Sequence, residues 1–277
     1  MIQTLSKAVL NAVPPGARRR LRGAPVIGPI QRAVFSALFD GREFDHVVDA
    51  GPAKGVAFRI RLPEDKGVWT GGYEAAFAEA VAAAMRARAG RPAFDVGGWH
   101  GYFSGVLAAN GASAVHVFEP LAENQRRLER LIALNPARAI ALHPVAVGDH
   151  DGEATLVVMP DSSMAKLSDS AFQTDAASRD QARVTLRSLD SLIASGAAPE
   201  PALIKLDVEG AELAALTGAA ALIERAKPAI FLEAHSGALR RDCEAFLTER
   251  GYRIKSLDED PAAARRRDVH QLSAVAA

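Results

Sequence analysis

Acidic side chains recur in this chain at the ends of short apolar segments. Asp95 closes AFD, Glu119 follows VHVF, Asp207 follows LIKL with Glu209 two residues on, and Glu233 follows AIFL with His235 two residues on. Carboxylates and an imidazole so placed can take a proton, ligate a cation or hold a cationic ligand. Behind Asp95 come Gly97, Gly98 and Gly101, and a helical pattern starts near Tyr102. Apolar segment, glycine turn and helix in that order open a nucleotide-binding crossover. The glycines let the backbone turn tightly beside a ligand, and the helix N-terminus presents unpaired N–H groups. Of the G-x-G-x-x-G pattern only Gly98 and Gly101 are present, with Val96 in the first place. The remaining D-x-G-x-x-x-G suits a nucleoside cofactor without a pyrophosphate better than a dinucleotide. Glycine turns also follow strands for purely structural reasons, so this one counts only together with its surroundings.

The elements that must position these groups can be read in order. Residues 1–45 read as helical pieces between Pro14, Pro15, Pro25 and Pro29, and His46–Trp69 reads as short strands between glycine turns. Glu74–Arg88 is Ala-rich and helix-favouring, with Gly90 as its stop. Strands are expected at Ala93–Val96, Ala114–Phe118, Ala139–Val147, Ala202–Leu206, Ala229–Leu232, Tyr252–Leu257 and Val269–Val275, with an extra one at Thr155–Met159. Helices are expected at Tyr102–Asn110, Leu121–Leu134, Ala211–Arg225 and Arg241–Arg250. Order resumes at Arg183–Arg187 and Ser188–Ala194 after a polar connection, Pro160–Gln181, that reads as a lid or a loose loop. This alternation calls for an α/β fold with a mostly parallel sheet covered on both faces. A domain of residues 71–277 behind an extension of residues 1–70 follows from it.

In such sheets ligands bind beyond the carboxyl ends of the strands. Acids at four of those ends would be costly if buried unpaired, and stability does not require them. Glu119 follows Asp95 by 24 residues, near the ~20-residue offset of an acid that accepts from ribose hydroxyls. Pro120 biases Glu119 toward an extended backbone; the plain alternative is an exposed strand-end glutamate. Asp95 reads first as an acceptor for the N–H groups of the glycine turn and second as a cofactor contact. Glu212 reads as a helix N-terminal acid that complements the dipole, and Glu209 fits either that or the site. Lys205 interrupts an apolar strand, so it points to the other face or pairs with an acid. His100 reads as a partly exposed loop residue.

Composition narrows the field. Hydrophobic residues make up 49% and charged residues 24% of 277, the balance of an ordinary globular protein. Lys+Arg and Asp+Glu are equal at 33 each, which argues against a dedicated nucleic-acid binder, and the runs Arg18–Arg20 and Arg265–Arg267 read as solvated surface or phosphate-facing edges rather than a docking face. The single Cys243 excludes an intramolecular disulfide and a cysteine-rich zinc site, and fits a reducing cytoplasm. No apolar run reaches the ~18 residues of a membrane span. In MIQTLSKAVLNAVPPGARRR the arginines follow the apolar stretch, so it makes a poor secretory signal and reads as a short amphipathic helix.

FDVGGWHGYFS, VFEP, PVAVGDHDGEATL, VTLRSLDSL, IKLDVEGAELAALTGAAALI and KPAIFLEAH, in that order, resemble the FkbM-type S-adenosylmethionine-dependent methyltransferases from about Gly71 to Tyr252, and GGYE resembles the segment before the family's first core helix. The resemblance implies the class I methyltransferase (Rossmann-like) fold, with strand order 3-2-1-4-5-7-6 and the seventh strand antiparallel. It also implies S-adenosylmethionine as cofactor, and O-methylation of a sugar, polysaccharide or secondary-metabolite hydroxyl. Cofactor contacts fall on Asp95, Gly97, Gly98, Trp99, Gly101, Glu119, Pro120 and Asp207. The family usually has Ala-Asn where this chain has Gly98-Trp99, so Trp99 is expected to stack on the cofactor or substrate, cover the site, or mark a divergent function.

Methyl transfer to a hydroxyl is an in-line displacement that also removes a proton. His235 is the expected base at neutral pH, oriented by Asp207 or Glu233, with Glu209 as a further catalytic candidate. An alternative has Asp207, Glu233 and Glu209 ligate Mg²⁺ or Ca²⁺ through oxygen; the metal-free base is preferred. The expected partner is a small-molecule or glycan acceptor, with no nucleic acid and no transmembrane segment, and a homo-oligomer is compatible. Competing readings are a nicotinamide-dependent oxidoreductase and a non-catalytic nucleoside-binding scaffold.

Overall fold

A computed structural model describes residues 43–158, 165–167, 181–258 and 261–277. The helical pieces expected before residue 43, with Arg18–Arg20, and most of the expected lid lie outside the described residues. Among the described residues of Asp45–Arg59 and Gly67–Ala277, which form one compact unit, strands and helices alternate. Asp45–Arg59, inside the expected extension, clusters here with the main unit.

The strands are β1 (Glu43–Val47), β2 (Ala57–Arg61), β3 (Ala93–Val96), β4 (Val115–Phe118), β5 (Ile140–His143), β6 (Ala146–Val147), β7 (Gly152–Val158), β8 (Ala165–Leu167), β9 (Gln181–Arg187), β10 (Leu203–Leu206), β11 (Ala229–Ala234), β12 (Tyr252–Ser256) and β13 (His270–Ala276). The helices are α1 (Lys66–Trp69), α2 (Ala75–Arg86), α3 (Tyr102–Ala109), α4 (Ala122–Leu134), α5 (Leu189–Ala194), α6 (Glu212–Thr217), α7 (Ala220–Ala226), α8 (Gly237–Glu249) and α9 (Pro261–Arg267).

The main sheet runs β12-β13-β11-β10-β3-β4-β5. β3, β4, β5, β10 and β11 are parallel, and β13 is antiparallel to both β11 and β12. This is the seven-stranded, mostly parallel class I methyltransferase sheet. Its parallel strands are mostly apolar because helices bury both faces, with Asp95, His116, His143, Lys205 and Glu233 as exceptions. Ile204, Leu206, Ile230 and Leu232 pack on Leu216, Leu222, Ile223 and Leu247. On the other face Phe77 of α2 meets Phe103 of α3 and Phe231 of β11 at ring distances of 5.5 and 6.1 Å. Strand side chains alternate between faces, so Lys205 leaves the Ile204/Leu206 face and comes to lie over the Phe103 ring at 5.0 Å.

Two expected elements are each split. The segment Ala139–Val147 breaks at Pro144, which has no N–H to give a ladder. β5 stays in the main sheet, whereas β6 joins a four-stranded sheet of order β6-β9-β7-β8. The helix expected over Ala211–Arg225 divides at Gly218, where a Cβ would stand 2.0 Å from the Gly148 carbonyl oxygen. Asp190 then receives the Ala221 and Leu222 N–H groups at 2.9 and 2.8 Å and so starts α7. α9, between the last two strands, was not expected, although Pro261 at its first position and the Ala-Arg run behind it favour a helix. No helix among the described residues is long and apolar enough to cross a membrane.

Candidate active site

β3, β4, β10 and β11 end on one rim, and their terminal residues line a single cavity of about 260 Å³. Gly97, Trp99, Glu119, Pro120, Asp207, Glu209 and Glu233 all reach it. Val96, Leu121, Ala146, Val147 and Leu156 give it an apolar wall, to which the branching away of β6 and β7 contributes.

The turn after β3 is wedged against the end of β10. Gly97 has φ +82°, and a Cβ there would lie 1.7 Å from the Asp207 carbonyl oxygen, so only glycine allows this approach. Gly98 and Gly101 sit under α4 instead, facing Leu128 and Leu131, and do not line the cavity. Trp99 adopts a left-handed backbone at φ 45°, a conformation that Asn would take at lower cost. Its ring stacks on His100 at 3.6 Å and 23°. Trp99 thus forms part of the wall and does not plug the cavity. His100 is not the partly exposed residue expected: it is buried, and burial with Arg127 and Lys205 nearby pushes its pKa well below the ordinary value.

Glu119 holds this turn in place. Its Oε2 accepts from the Trp99 N–H at 2.9 Å, and its Oε1 from the Leu121 N–H at 2.9 Å and Asn124 Nδ2 at 3.2 Å. Burial raises its pKa while those donors oppose the rise. A carboxylate offers about four lone-pair sites, so one on Oε2 is left, and Glu119 lines the cavity. Asp95 takes none of the turn's N–H groups. It is buried, accepts from Ser104 Oγ at 2.6 Å and pairs with Lys205 Nζ at 3.6 Å, away from the cavity lining.

The other half of the rim is built differently. Lys205 Nζ donates to the Gly97 carbonyl at 3.0 Å and to Asp207 Oδ2 at 3.3 Å. Burial alone would lower its pKa, but Asp207, Asp95, Glu74 and Glu233 outweigh that and raise it. His235 Nδ1 lies 2.9 Å from Glu212 Oε1, and Nε2 faces Glu209 Oε2 at 3.4 Å, Asp207 Oδ1 at 3.6 Å and Glu233 Oε1 at 3.8 Å. Burial works against its charge, yet the Glu212 hydrogen bond and the charges of Asp207, Glu212 and Glu209 lift its pKa to about 10. His235, expected as the base, does not itself line the cavity: Glu212 holds its Nδ1, and its Nε2 faces three carboxylates beyond ordinary hydrogen-bond length.

Several residues here were missed or misread from sequence. Glu212, set aside as a dipole acid, is fully buried and accepts from the Val208 and Gly210 N–H groups at 3.3 and 3.1 Å as well as binding His235. Glu74 lines the cavity with a left-handed backbone at φ 42°. Gln271 Nε2 clamps Glu74 Oε2 at 3.1 Å and Glu233 Oε2 at 2.9 Å. Burial, with Glu233 and Asp207 beside it, pushes the Glu74 carboxyl up to about 7. The GGYE segment was the available signal for Glu74. None existed for Gln271, which reaches Glu233 only through the antiparallel register of β13 on β11.

Residues 90–254 match the model of the family described as the methyltransferase FkbM domain. Among solved structures, the methyltransferase FkbM of Methylobacillus flagellatus KT is similar at 21% identity and TM-score 0.47, over 66% of this chain and 43% of that one. This chain therefore spans less than half of that protein's length. The O-methyltransferase of Bacillus cereus in complex with SAH is similar at 14% identity and TM-score 0.47, over 72% of this chain and 80% of that one. A SAM-dependent methyltransferase from Agrobacterium tumefaciens is similar at 12% identity and TM-score 0.45, over 85% and 70%. No curated protein matches the chain.

Proposed function

The chain belongs to the FkbM family of S-adenosylmethionine-dependent methyltransferases, and on that premise we propose that it methylates a hydroxyl of a sugar, polysaccharide or secondary-metabolite acceptor. One observation carries the reading: turn, acids and apolar wall from four strand ends share a single cavity. The donor set suits S-adenosylmethionine. The remaining lone pair of Glu119 suits a ribose hydroxyl, and Val147, Leu156 and Leu121 suit an adenine ring. Asp207, Glu209 and Glu233 suit the cationic end of the cofactor, because opposite charge in a partly dry cleft favours it. When bound, the cofactor supplies an electrophilic methyl group on a sulfonium.

The chain's own residues then have to hold the acceptor oxygen in line and take its proton. Glu74 fills the second role best. It faces the cavity, Gln271 orients it beside Glu233, and its carboxyl is poised near neutrality. Asp207 and Lys205 fix the edge of the turn against which the cofactor would lie.

The test is a labelled-methyl assay over hydroxyl-bearing and amine-bearing acceptors, with calorimetry of S-adenosylhomocysteine. Binding together with label on oxygen is the expected outcome. Label on nitrogen or carbon overturns the hydroxyl assignment. Absence of nucleoside binding favours the scaffold reading, and binding of NADH in its place favours the oxidoreductase.

A further inference from the structure

The side chains at the ends of β10 and β11 are arranged as a metal site with its outer support already built. The His235 side chain is nine-tenths buried. One nitrogen, Nδ1, is fixed by Glu212 Oε1 at 2.9 Å, and Glu212 is itself anchored by two backbone N–H groups of the loop after β10. The other nitrogen, Nε2, points away from that support toward Glu209 Oε2, Asp207 Oδ1 and Glu233 Oε1 at 3.4, 3.6 and 3.8 Å. Those separations exceed ordinary N–H···O lengths. Asp207 Oδ1 is buried and accepts no hydrogen bond. One ligand atom each from Asp207, Glu233 and His235 lies within 4.8 Å of the others. Two ligands about 2.1 Å from one ion at tetrahedral or octahedral angles stand about 3.0–3.4 Å apart. Closing the imidazole and the two carboxylates on an ion thus shortens the Nε2 distances to Asp207 and Glu233 by about 0.2–0.8 Å.

We propose that His235 Nε2, Asp207 and Glu233 bind a divalent first-row transition ion such as Mn²⁺ or Zn²⁺, with Glu209 as a fourth ligand and Glu212 as the group that orients the imidazole. A carboxylate that fixes the far nitrogen of a ligating histidine is the usual outer support of such sites. A nitrogen ligand among oxygens favours these ions over Mg²⁺ and Ca²⁺, which take oxygen, so the donor set departs from an all-oxygen magnesium site. Asp207, Glu209 and Glu233 also line the cavity, which leaves any open coordination position facing it. The inference rests on the reading above only for what would occupy that position, an acceptor hydroxyl; metal binding itself is measured without turnover.

The full chain, stripped with a chelator, is titrated with Mn²⁺, Zn²⁺ and Mg²⁺ by calorimetry, and the Mn²⁺ form is examined by pulsed electron paramagnetic resonance for a coordinated imidazole nitrogen. One equivalent of Mn²⁺ or Zn²⁺ is expected, with Mg²⁺ at least about tenfold weaker and a nitrogen coupling that disappears in His235→Gln. Glu212→Gln is expected to weaken Mn²⁺ binding about 10–100-fold, with far-UV circular dichroism confirming that both variants fold. Should His235→Gln fail to fold, the nitrogen coupling in the unsubstituted chain decides alone. No saturable binding, no nitrogen coupling, or equal affinity for Mg²⁺ overturns the proposal. Methyl transfer by stripped protein that binds no metal overturns it while leaving the methyltransferase reading intact; metal binding without methyl transfer does the reverse.

Discussion

The two halves of the rim handle buried negative charge in opposite ways. At the ends of β3 and β4, Glu119 is surrounded by neutral donors: two backbone N–H groups and an amide. At the ends of β10 and β11, Asp207, Glu209, Glu212 and Glu233 crowd one imidazole, and Asp207 shares Lys205 with Asp95. A carboxylate satisfied by fixed dipoles keeps its shape whatever binds, which suits recognition of a neutral sugar ring. Carboxylates held by side-chain cations can exchange those partners, which suits ion binding and proton movement. If this contrast is right, substitutions on the β10–β11 side should affect turnover and charge, and those on the β3–β4 side should affect affinity and loop order.

The largest effect is expected from Glu74→Gln, which preserves shape and the contact with Gln271 but cannot take a proton. Turnover should fall roughly 10²–10⁴-fold, while S-adenosylhomocysteine affinity by calorimetry changes by less than a few-fold. A rate within a few-fold of the unsubstituted chain would move the proton acceptor elsewhere and blur the division between the halves.

Lys205→Met comes next and concerns stability. Removing the ammonium leaves Asp95 buried beside an apolar side chain, and breaking a buried pair in this way costs about 3–5 kcal/mol. The urea midpoint should drop accordingly, and adding Asp95→Asn should recover much of the loss. A midpoint that does not move would mean that the charge cluster contributes little to holding the rim together.

Glu119→Ala tests the opposite half. It leaves the Trp99 and Leu121 N–H groups and the Asn124 amide without their acceptor, at about 1–3 kcal/mol. Because the turn itself loosens, S-adenosylhomocysteine affinity should fall by tenfold or more. Unchanged affinity would remove Glu119 from ribose recognition and leave it a purely structural residue.

What could be read from the sequence divides along the same line. The strand ends, the glycine turn and Glu119 are local in sequence, and strand polarity follows from alternation with helices, so the sheet and the strand-end acids Glu119, Asp207, Glu209 and Glu233 were legible, whereas Glu74 was not. Nor was the setting of His235. It depends on Glu212 from α6 and on Asp207 and Glu209 from the loop after β10 meeting around a strand end of β11, a coincidence of position that spacing along the chain does not encode. Gln271 was hidden for the same reason, because only the antiparallel return of β13 brings it to Glu233. Trp99 was visible as an oddity, but its left-handed backbone and its stack on a buried His100 emerge only from tertiary packing.

The smallest expected effect sharpens the contrast from the neutral side. His116 of β4 and His143 of β5 stack at 5.1 Å and 24°, with Nδ1 of the first 2.9 Å from Nε2 of the second. At that distance one ring donates and the other accepts, so both cannot be protonated without setting two N–H groups against each other. Burial lowers the pKa of both, and His116 lowers that of His143 further. The unfolded chain, with histidines near about 6.5, therefore binds more protons as the pH falls through that value, and stability declines with it. Between pH 7.5 and 5.5 the urea midpoint should fall more for the unsubstituted chain than for His143→Phe, a ring that can keep the 4.7 Å stack on Phe118. Equal slopes would show that this half of the rim tolerates charge as readily as the other, and the contrast between the two would lose its physical basis.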